Sequence, residues 1–248
     1  MSTEKRSGIT TTQPRIPFID SVRGFAILLM MIFHLCYDLY YFKFLTVDFN
    51  GPFWEWFRYV IISLFFLVSG FSTTQATKNG INRKKYGYRF GQVLVSALII
   101  TSVTYVLFPN AWIYFGVLHF FALSMIAVLP FRKTPLLSLL LGILIFILFN
   151  TTGWFNLSPL YNWLQPIIGL PRGTQDLTRF IPWFGMILIG SSLAHYGIHP
   201  LIYLGQQRGL STGWHIRLCT FLGRHPLKIY LLHQPLLFGL IYIARLIN

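Results

Sequence analysis

The stretch Arg15-Ile-Pro-Phe-Ile-Asp20-Ser-Val-Arg23-Gly24-Phe-Ala-Ile-Leu-Leu-Met-Met-Ile-Phe-His34-Leu-Cys-Tyr-Asp38 decides how this chain is read. Its middle is apolar for a length that suits a membrane-crossing helix, yet ionisable groups flank it and enter it. Asp20 and Arg23 are three residues apart, so on a helix they share a face and pair. His34 and Asp38 are four apart and share a face as well. At about 100° per residue, Asp20 and Asp38 superpose in projection, His34 falls within about 40° of them and Arg23 within about 60°. One stripe of the helix therefore collects Asp20, Arg23, Gly24, His34 and Asp38, and the other faces are Leu, Ile, Met and Phe. A charge in hydrocarbon costs at least ~2.5 kcal/mol, so Asp38 persists only if it is paired or faces a polar cavity. A carboxylate beside an imidazole orients the ring and raises its basicity.

The rest of the chain agrees with a membrane setting. Of its 248 residues, 54% are hydrophobic, 18% aromatic and only 10% charged, against about 25% charged in average soluble domains. Mean hydropathy is +0.59. This excludes a disordered chain, a coiled coil and an ordinary soluble domain. Seven apolar segments predict spans, near Phe25–Phe42, Phe57–Thr74, Phe90–Phe108, Trp112–Leu129, Leu136–Phe149, Phe180–Ala194 and Leu227–Ile247. The fold class expected is all-α, a polytopic helical membrane bundle of about seven transmembrane helices. Residues 1–15 form a cytoplasmic N-terminal tail without the features of a signal peptide, and residues 16–248 form a single transmembrane domain.

The net charge of +14 follows from 20 Lys and Arg against 6 Asp and Glu. The basic residues sit between apolar runs, which argues against nucleic acid and for topology signals. Fifteen lie in the tail and first-span entrance (Lys5, Arg6, Arg15, Arg23), in Lys78–Arg89, at Arg132 and Lys133, and in Arg208–Lys228. Five (Lys43, Arg58, Arg172, Arg179 and Arg245) fall in the alternate segments. Cytoplasmic loops accumulate Lys and Arg, so the N-terminus is expected inside and the C-terminus outside. The outer segments hold Trp54, Trp56, Trp112, Trp154 and Trp163, as suits the membrane–water interface. The outer stretch Asn150–Arg179 reads as an interfacial or re-entrant flap.

Other ionisable groups within the spans are few. His119 lies just inside the fourth span, at a depth comparable with His34, so the two imidazoles are expected to meet across helices. His233, in Leu227-Lys-Ile-Tyr-Leu-Leu-His233-Gln234-Pro235, is expected on the inner half, next to a proline that frees a backbone carbonyl. Ser63 and Ser69-Gly70 read as close-packing positions. Arg172 and Arg179 read as interfacial anchors. Lys78–Arg89 reads as a topology signal and anionic-lipid contact that also suits cofactor phosphates. His195, His199, His215 and His225 read as solvated loop residues. Cys36 and Cys219 form neither a disulfide pair nor a metal spacing. No Gly-rich phosphate loop, metal cluster, Gly-x-Ser-x-Gly or partnered nucleophilic Cys occurs, so any chemistry runs on His with carboxylate help.

At these residues the chain resembles the bacterial branch of the heparan-alpha-glucosaminide N-acetyltransferase catalytic-domain family. The resemblance is carried by Asp20-Ser-Val-Arg23-Gly24 with His34 and Asp38, by Leu64-Phe-Phe-Leu-Val-Ser69-Gly70-Phe71, by Gly116-Val-Leu-His119-Phe, and by His225-Pro-Leu-Lys-Ile-Tyr230-Leu-Leu-His233-Gln234-Pro235. It implies transfer of an acetyl group from cytosolic acetyl-CoA to a hydroxyl or amine acceptor, a carbohydrate or other envelope component, on the far side of the membrane. The loop Lys43–Glu55 contains no histidine, unlike the lysosomal enzyme that names the family. A covalent acetyl-histidine step and the named heparan substrate are therefore not carried over.

The expected site has His34 as general base, oriented by Asp38, or alternatively as first acceptor of the acetyl group with ping-pong kinetics, and His119 stabilising the oxyanion or holding the acceptor. Asp20, Arg23, Gly24 and His233 are expected to bind the cofactor, the thioester lying in a groove along the Gly24 face. No metal is expected. The expected partners are acetyl-CoA, the acceptor and the lipid bilayer of the cell membrane, which leaves room for a homo-oligomer and none for nucleic acid. The alternative is a proton-coupled transporter or flippase using the same His and Asp residues as a proton relay.

Overall fold

The computed structural model describes residues 16–152, 158–174, 176–196 and 213–247. The tail of residues 1–15, Trp154, Phe155, His199 and Arg208 lie outside the described residues. The helices are α1 (Pro17–Tyr41), α2 (Pro52–Thr77), α3 (Arg83–Leu107), α4 (Val117–Ala127), α5 (Pro135–Thr151), α6 (Ser158–Ile168), α7 (Phe180–Tyr196), α8 (Trp214–Arg224) and α9 (Pro226–Ile247). Proline in the first turn starts α1, α2 and α5, where its missing N–H costs nothing. The Asn82 side chain caps α3 by accepting from the Lys85 amide at 3.0 Å. Among the described residues there is no strand, only an isolated parallel bridge between Phe115 and Leu177.

The chain is an all-α, multi-pass membrane protein. Four helices, α1, α2, α3 and α9, are long and apolar enough to cross a bilayer, and α4, α5 and α7 are shorter apolar helices. The fourth expected span differs most. Helix begins only at Val117 and runs 11 residues, about 16 Å at 1.5 Å per residue. Pro109 and Gly116 bound the extended approach, and Pro130 opens a 3₁₀ turn behind the helix. Backbone without helical partners needs other ones inside a membrane protein. Thr101 Oγ1 donates to the Ile113 carbonyl at 2.8 Å, Thr104 Oγ1 accepts from the Ile113 amide at 3.0 Å, and the Thr178 amide donates to the Phe115 carbonyl at 3.0 Å.

The core is aromatic and glycine-permitted. Phe66, Phe120, Phe184, Ile187 and Leu188 form its buried centre, with the Phe66 and Phe120 rings 4.1 Å apart. A Cβ on Gly70 would overlap the Ile187 carbonyl, and one on Gly190 would overlap the Leu67 carbonyl. α2 and α7 therefore touch backbone to backbone, the small-residue packing expected within membranes. Toward their C-terminal ends they are tied by the Thr74–Ser191 hydroxyl bond at 2.6 Å.

The basic stretch before the last span is not all loop. α8 packs antiparallel along the N-terminal half of α1, with Gly24 against Cys219, Ser21 against Thr220 and Asp20 against Gly223. Ile216, Cys219, Thr220 and Gly223 recur at helical spacing and form the side turned to α1, with Arg217 and Arg224 between them. His215 and His225 are exposed. His195 is not solvated as expected: its ring meets the Arg132 carbonyl at 2.5 Å, while the Arg132 guanidinium donates to the Thr77 carbonyl at 2.9 Å.

Candidate active site

α1 carries two polar pairs on one stripe, and each pair meets a different partner helix. Toward the N-terminal end of α1, Arg23 Nη1 donates to Asp20 Oδ1 at 2.8 Å and to the Gly223 carbonyl at 2.9 Å, and Nη2 donates to Ser72 Oγ at 2.7 Å. One guanidinium thus links α1, α2 and α8. A Cβ on Gly24 would overlap the Cys219 backbone, and one on Gly223 would overlap the Asp20 carbonyl. This corrects one expectation. The Gly24 face is not an open groove for a thioester, because α8 fills it, and glycines at 24 and 223 are what allow the two helices to approach so closely.

Toward its C-terminal end α1 meets α9. Successive contacts His34–His233, Asp38–Gln234 and Phe42–Phe238 advance together, so the two helices run parallel. The His34 and His233 rings lie 5.0 Å apart, and Phe33 stands edge-on to His34 at 5.6 Å. His233 Nδ1 is 2.7 Å from the Tyr230 carbonyl. A carbonyl only accepts, so Nδ1 carries the proton, and in the neutral ring Nε2 is left with its lone pair. Asp38, 1% exposed, accepts from Gln234 Nε2 at 2.9 Å through Oδ1. Among the described residues no hydrogen bond joins it to His34. Asp38 is held by α9 rather than by the imidazole one turn before it.

Three buried atoms in this cluster have no hydrogen-bond partner among the described residues: Asp38 Oδ2, His233 Nε2 and Gln234 Oε1. A buried polar group left unmade costs about 1–3 kcal/mol. Such groups mark strain, catalysis or a bound molecule. They contrast with Arg23, whose guanidinium is bonded to groups on three helices.

His119 sits elsewhere. Its Nδ1 accepts from the Gly116 amide at 3.2 Å, so the neutral ring carries its proton on Nε2, which lies 3.1 Å from Thr101 Oγ1. Both nitrogens are engaged in closing the start of α4 against α3. Among the described residues no contact links it to His34. The partner expected of His119 is supplied by His233 instead, because α9 returns along α1 whereas α4 packs on α3.

The sequence reading passed over Asp176. Its Oδ2 accepts from the Val117 amide at 3.0 Å, at the N-terminus of α4. Burial pushes its carboxyl above the usual carboxylate range, against the pull of the Val117 amide and the Arg58 charge. The available signal was scarcity, since Asp176 is the only acidic residue after Glu55. Another groove, between α5 and α7, is lined by Leu141, Ile145, Leu148, Phe180 and Phe184 and offers no polar side chain. No metal-binding group occurs among the described residues.

The family model described as heparan-alpha-glucosaminide N-acetyltransferase, catalytic, matches residues 15–235. No curated protein and no solved structure matches the chain.

Proposed function

The chain belongs to the heparan-alpha-glucosaminide N-acetyltransferase catalytic family, and on that premise we propose that it moves an acetyl group from cytosolic acetyl-CoA to a hydroxyl or amine acceptor, a sugar, on the far side of the cell membrane. The observation that carries this is the His34–His233 pair, 5.0 Å between ring centroids, flanked by three unpartnered buried polar atoms. Seven spans with a cytoplasmic N-terminus suit the arrangement. Parallel α1 and α9 leave an odd number of crossings in all, and the Lys and Arg bias puts the inner end of α1 in the cytosol.

In the proposed reaction the acceptor oxygen or nitrogen attacks the thioester carbonyl carbon. An imidazole takes the proton, the carbon–sulfur bond breaks, and the imidazolium returns the proton to the leaving thiolate. His34 is the base, and His233, anchored through Nδ1, presents its Nε2 to the same polar cluster. Asp38 acts on this pair through Gln234. Positioned acid–base catalysis contributes about 10²–10⁴ in rate. Arg23, with Asp20 and Gly24, holds the inner end of α1 in place and adds positive potential for CoA phosphates arriving beside Lys78–Arg89.

The test is release of free thiol from acetyl-CoA by the protein in nanodiscs, with glucosamine and a pool of envelope sugars as acceptors. Wild type is expected to release CoA, and His34→Ala and His233→Ala to lose at least about 100-fold of the rate. Wild type that neither releases thiol nor binds acetyl-CoA sinks the proposal and leaves the proton-relay transporter as the reading to pursue.

A further inference from the structure

We propose that Gln234 determines which acceptor is used: its Oε1, with Asp38 Oδ2 and His233 Nε2, forms a seat of hydrogen-bond acceptors for a substrate that carries further donors beside the group to be acetylated, as a vicinal diol or a vicinal amino alcohol does. This rests on the acyltransferase reading and deepens it by naming the chemistry of the second substrate.

The orientation of each group follows from what its partner can do. Gln234 Nε2 lies 2.9 Å from Asp38 Oδ1. A carboxylate only accepts, so the carboxamide turns its NH2 toward Asp38 and its Oε1 away. His233 Nδ1 is committed to the Tyr230 carbonyl at 2.7 Å, which leaves Nε2 as an acceptor. Asp38 Oδ2, His233 Nε2 and Gln234 Oε1 are thus three acceptors, all buried and all without a partner among the described residues. Asp38 is 1% exposed and His233 6%. The side chains are contiguous. His233 and Gln234 are neighbours on α9, and they meet α1 on successive turns, at His34 and at Asp38.

The flanks are aromatic. One turn beyond Asp38 and Gln234, Phe42 packs on Phe238 with ring centroids 4.8 Å apart. Phe33 stands edge-on to His34, with Trp54 and Phe57 at 5.9 and 6.2 Å from it. Pro235, next along α9, has no N–H to offer. Among the described residues the Asp20–Arg23 ion pair is the one found, so no cation is paired with Asp38 there. His34 itself is only half-buried, so the way to the seat lies past the proposed base.

Counting donors identifies the ligand. The acetyl end of a thioester presents a carbonyl oxygen and a sulfur and no donor, so it satisfies none of the three atoms. A hydroxyl under acetylation brings one proton, and that proton goes to the base. The acceptors left over need hydrogens from elsewhere on the same molecule. Hydroxyls on the carbons beside the reacting one supply them at short range. A site built to accept from a substrate hydroxyl rejects the analogue that lacks it, because the site's own buried atoms then stay unpaired. Asp38 fixes the Gln234 carboxamide through Oδ1, and the direction of Oε1 follows from that bond.

The test is acceptor preference, read by thiol release in nanodiscs, with glucosamine against cyclohexylamine and glucose against cyclohexanol. Within each pair the neighbouring hydroxyls are what the second member lacks. Wild type is expected to favour the hydroxylated member of at least one pair by about 100-fold or more. Gln234→Met removes both polar atoms at similar length. Gln234→Lys keeps a donor for Asp38 and removes the acceptor oxygen, so it serves if the first variant fails to fold. Each variant is compared with wild type on the same pair, so intrinsic reactivity cancels. In both, the preference is expected to fall about tenfold or more through a higher KM for the hydroxylated member, with the KM for acetyl-CoA within about a factor of two of wild type. An unmoved preference in a folded variant overturns the assignment, and a lowered melting temperature beside it makes Gln234 a clamp between α1 and α9 only. A parallel rise in the KM for acetyl-CoA also overturns it and gives the seat to the pantetheine amides. Wild type that binds acetyl-CoA yet gains nothing from the hydroxyls of either pair overturns this inference alone. Wild type that neither releases thiol nor binds acetyl-CoA removes the acyltransferase reading, and this inference with it.

Discussion

The two halves of α1 carry the same kind of residues and put them to opposite use. In the N-terminal half, Asp20 and Arg23 are bonded to one another and Arg23 to α2 and α8, and Gly24 lies flat against α8. In the C-terminal half, His34 and Asp38 face α9 across a cluster whose oxygen and nitrogen atoms include three without a partner among the described residues. A closed polar network rigidifies, whereas an open one carries a standing cost that a ligand can relieve. Equal spacing along a helix says nothing about which is which; the partner helix decides.

That contrast can be broken by substitution. The largest effect belongs to the open half: His34→Ala is expected to lower the rate of CoA release by about 10²–10⁴, with the melting temperature near wild type, measured by thiol release and thermal denaturation on the same sample. Comparable loss of both would move His34 to the structural class. Gly24→Val comes next, in the closed half. Its side chain would overlap the Cys219 backbone, and overpacking of this kind costs about 1–3 kcal/mol or more, so the folded yield and melting temperature should both drop. A Gly24→Val protein with normal melting would mean that α8 does not lie on α1.

Smaller effects sharpen the boundary. Asp38→Asn keeps an acceptor for Gln234 and loses only the charge. Its expected signature is a fall of about tenfold in kcat with KM for acetyl-CoA little changed, the mark of a group acting through its neighbours. Ser72→Ala removes one of the Arg23 contacts and is expected to cost about 1 kcal/mol of stability without altering kcat. The smallest effect concerns pH. The folded carboxyl of Asp176 titrates above its unfolded value, so the folded state binds the proton more tightly, and this group favours folding below the unfolded pKa and loses that contribution as pH rises through the folded pKa. Asp176→Asn should therefore melt at or slightly above wild type at pH 7.5, and the gap should shift against the variant as pH falls toward 4. A variant clearly less stable than wild type at pH 7.5 contradicts that sign.

Much of the architecture was legible because membrane insertion writes itself into composition. The cores of α1, α2, α3, α5, α7 and α9 coincide with apolar segments bounded by basic residues and prolines. The fourth segment misled because Trp112–Gly116 is as apolar as a helix, while its backbone bonds to Thr101, Thr104 and Thr178 instead of to itself. α8 escaped notice because Arg217 and Arg224 look like a loop when the pattern of Ile216, Cys219, Thr220 and Gly223 is not weighed as a face. In the site, the stripe of Asp20, Arg23, Gly24, His34 and Asp38 followed from helical periodicity alone. The meeting of His34 with His233 rather than His119 did not, since the depth argument matched His34 to His119 and placed His233 on the inner half.

The sequence by itself determined the all-α membrane class, the polar stripe on the first helix, and the family motifs from Asp20 to Pro235, because helical period, hydropathy and short motifs are local properties. Tertiary structure alone decided the rest: that α8 covers Gly24, that Asp38 bonds Gln234, that His119 braces α4, and that Asp176 caps α4 at Val117. Each of these depends on which helices lie side by side, and about 200 residues of chain separate His34 from His233. No local pattern encodes a contact across that distance; close packing of glycine surfaces and the pairing of buried polar atoms select it.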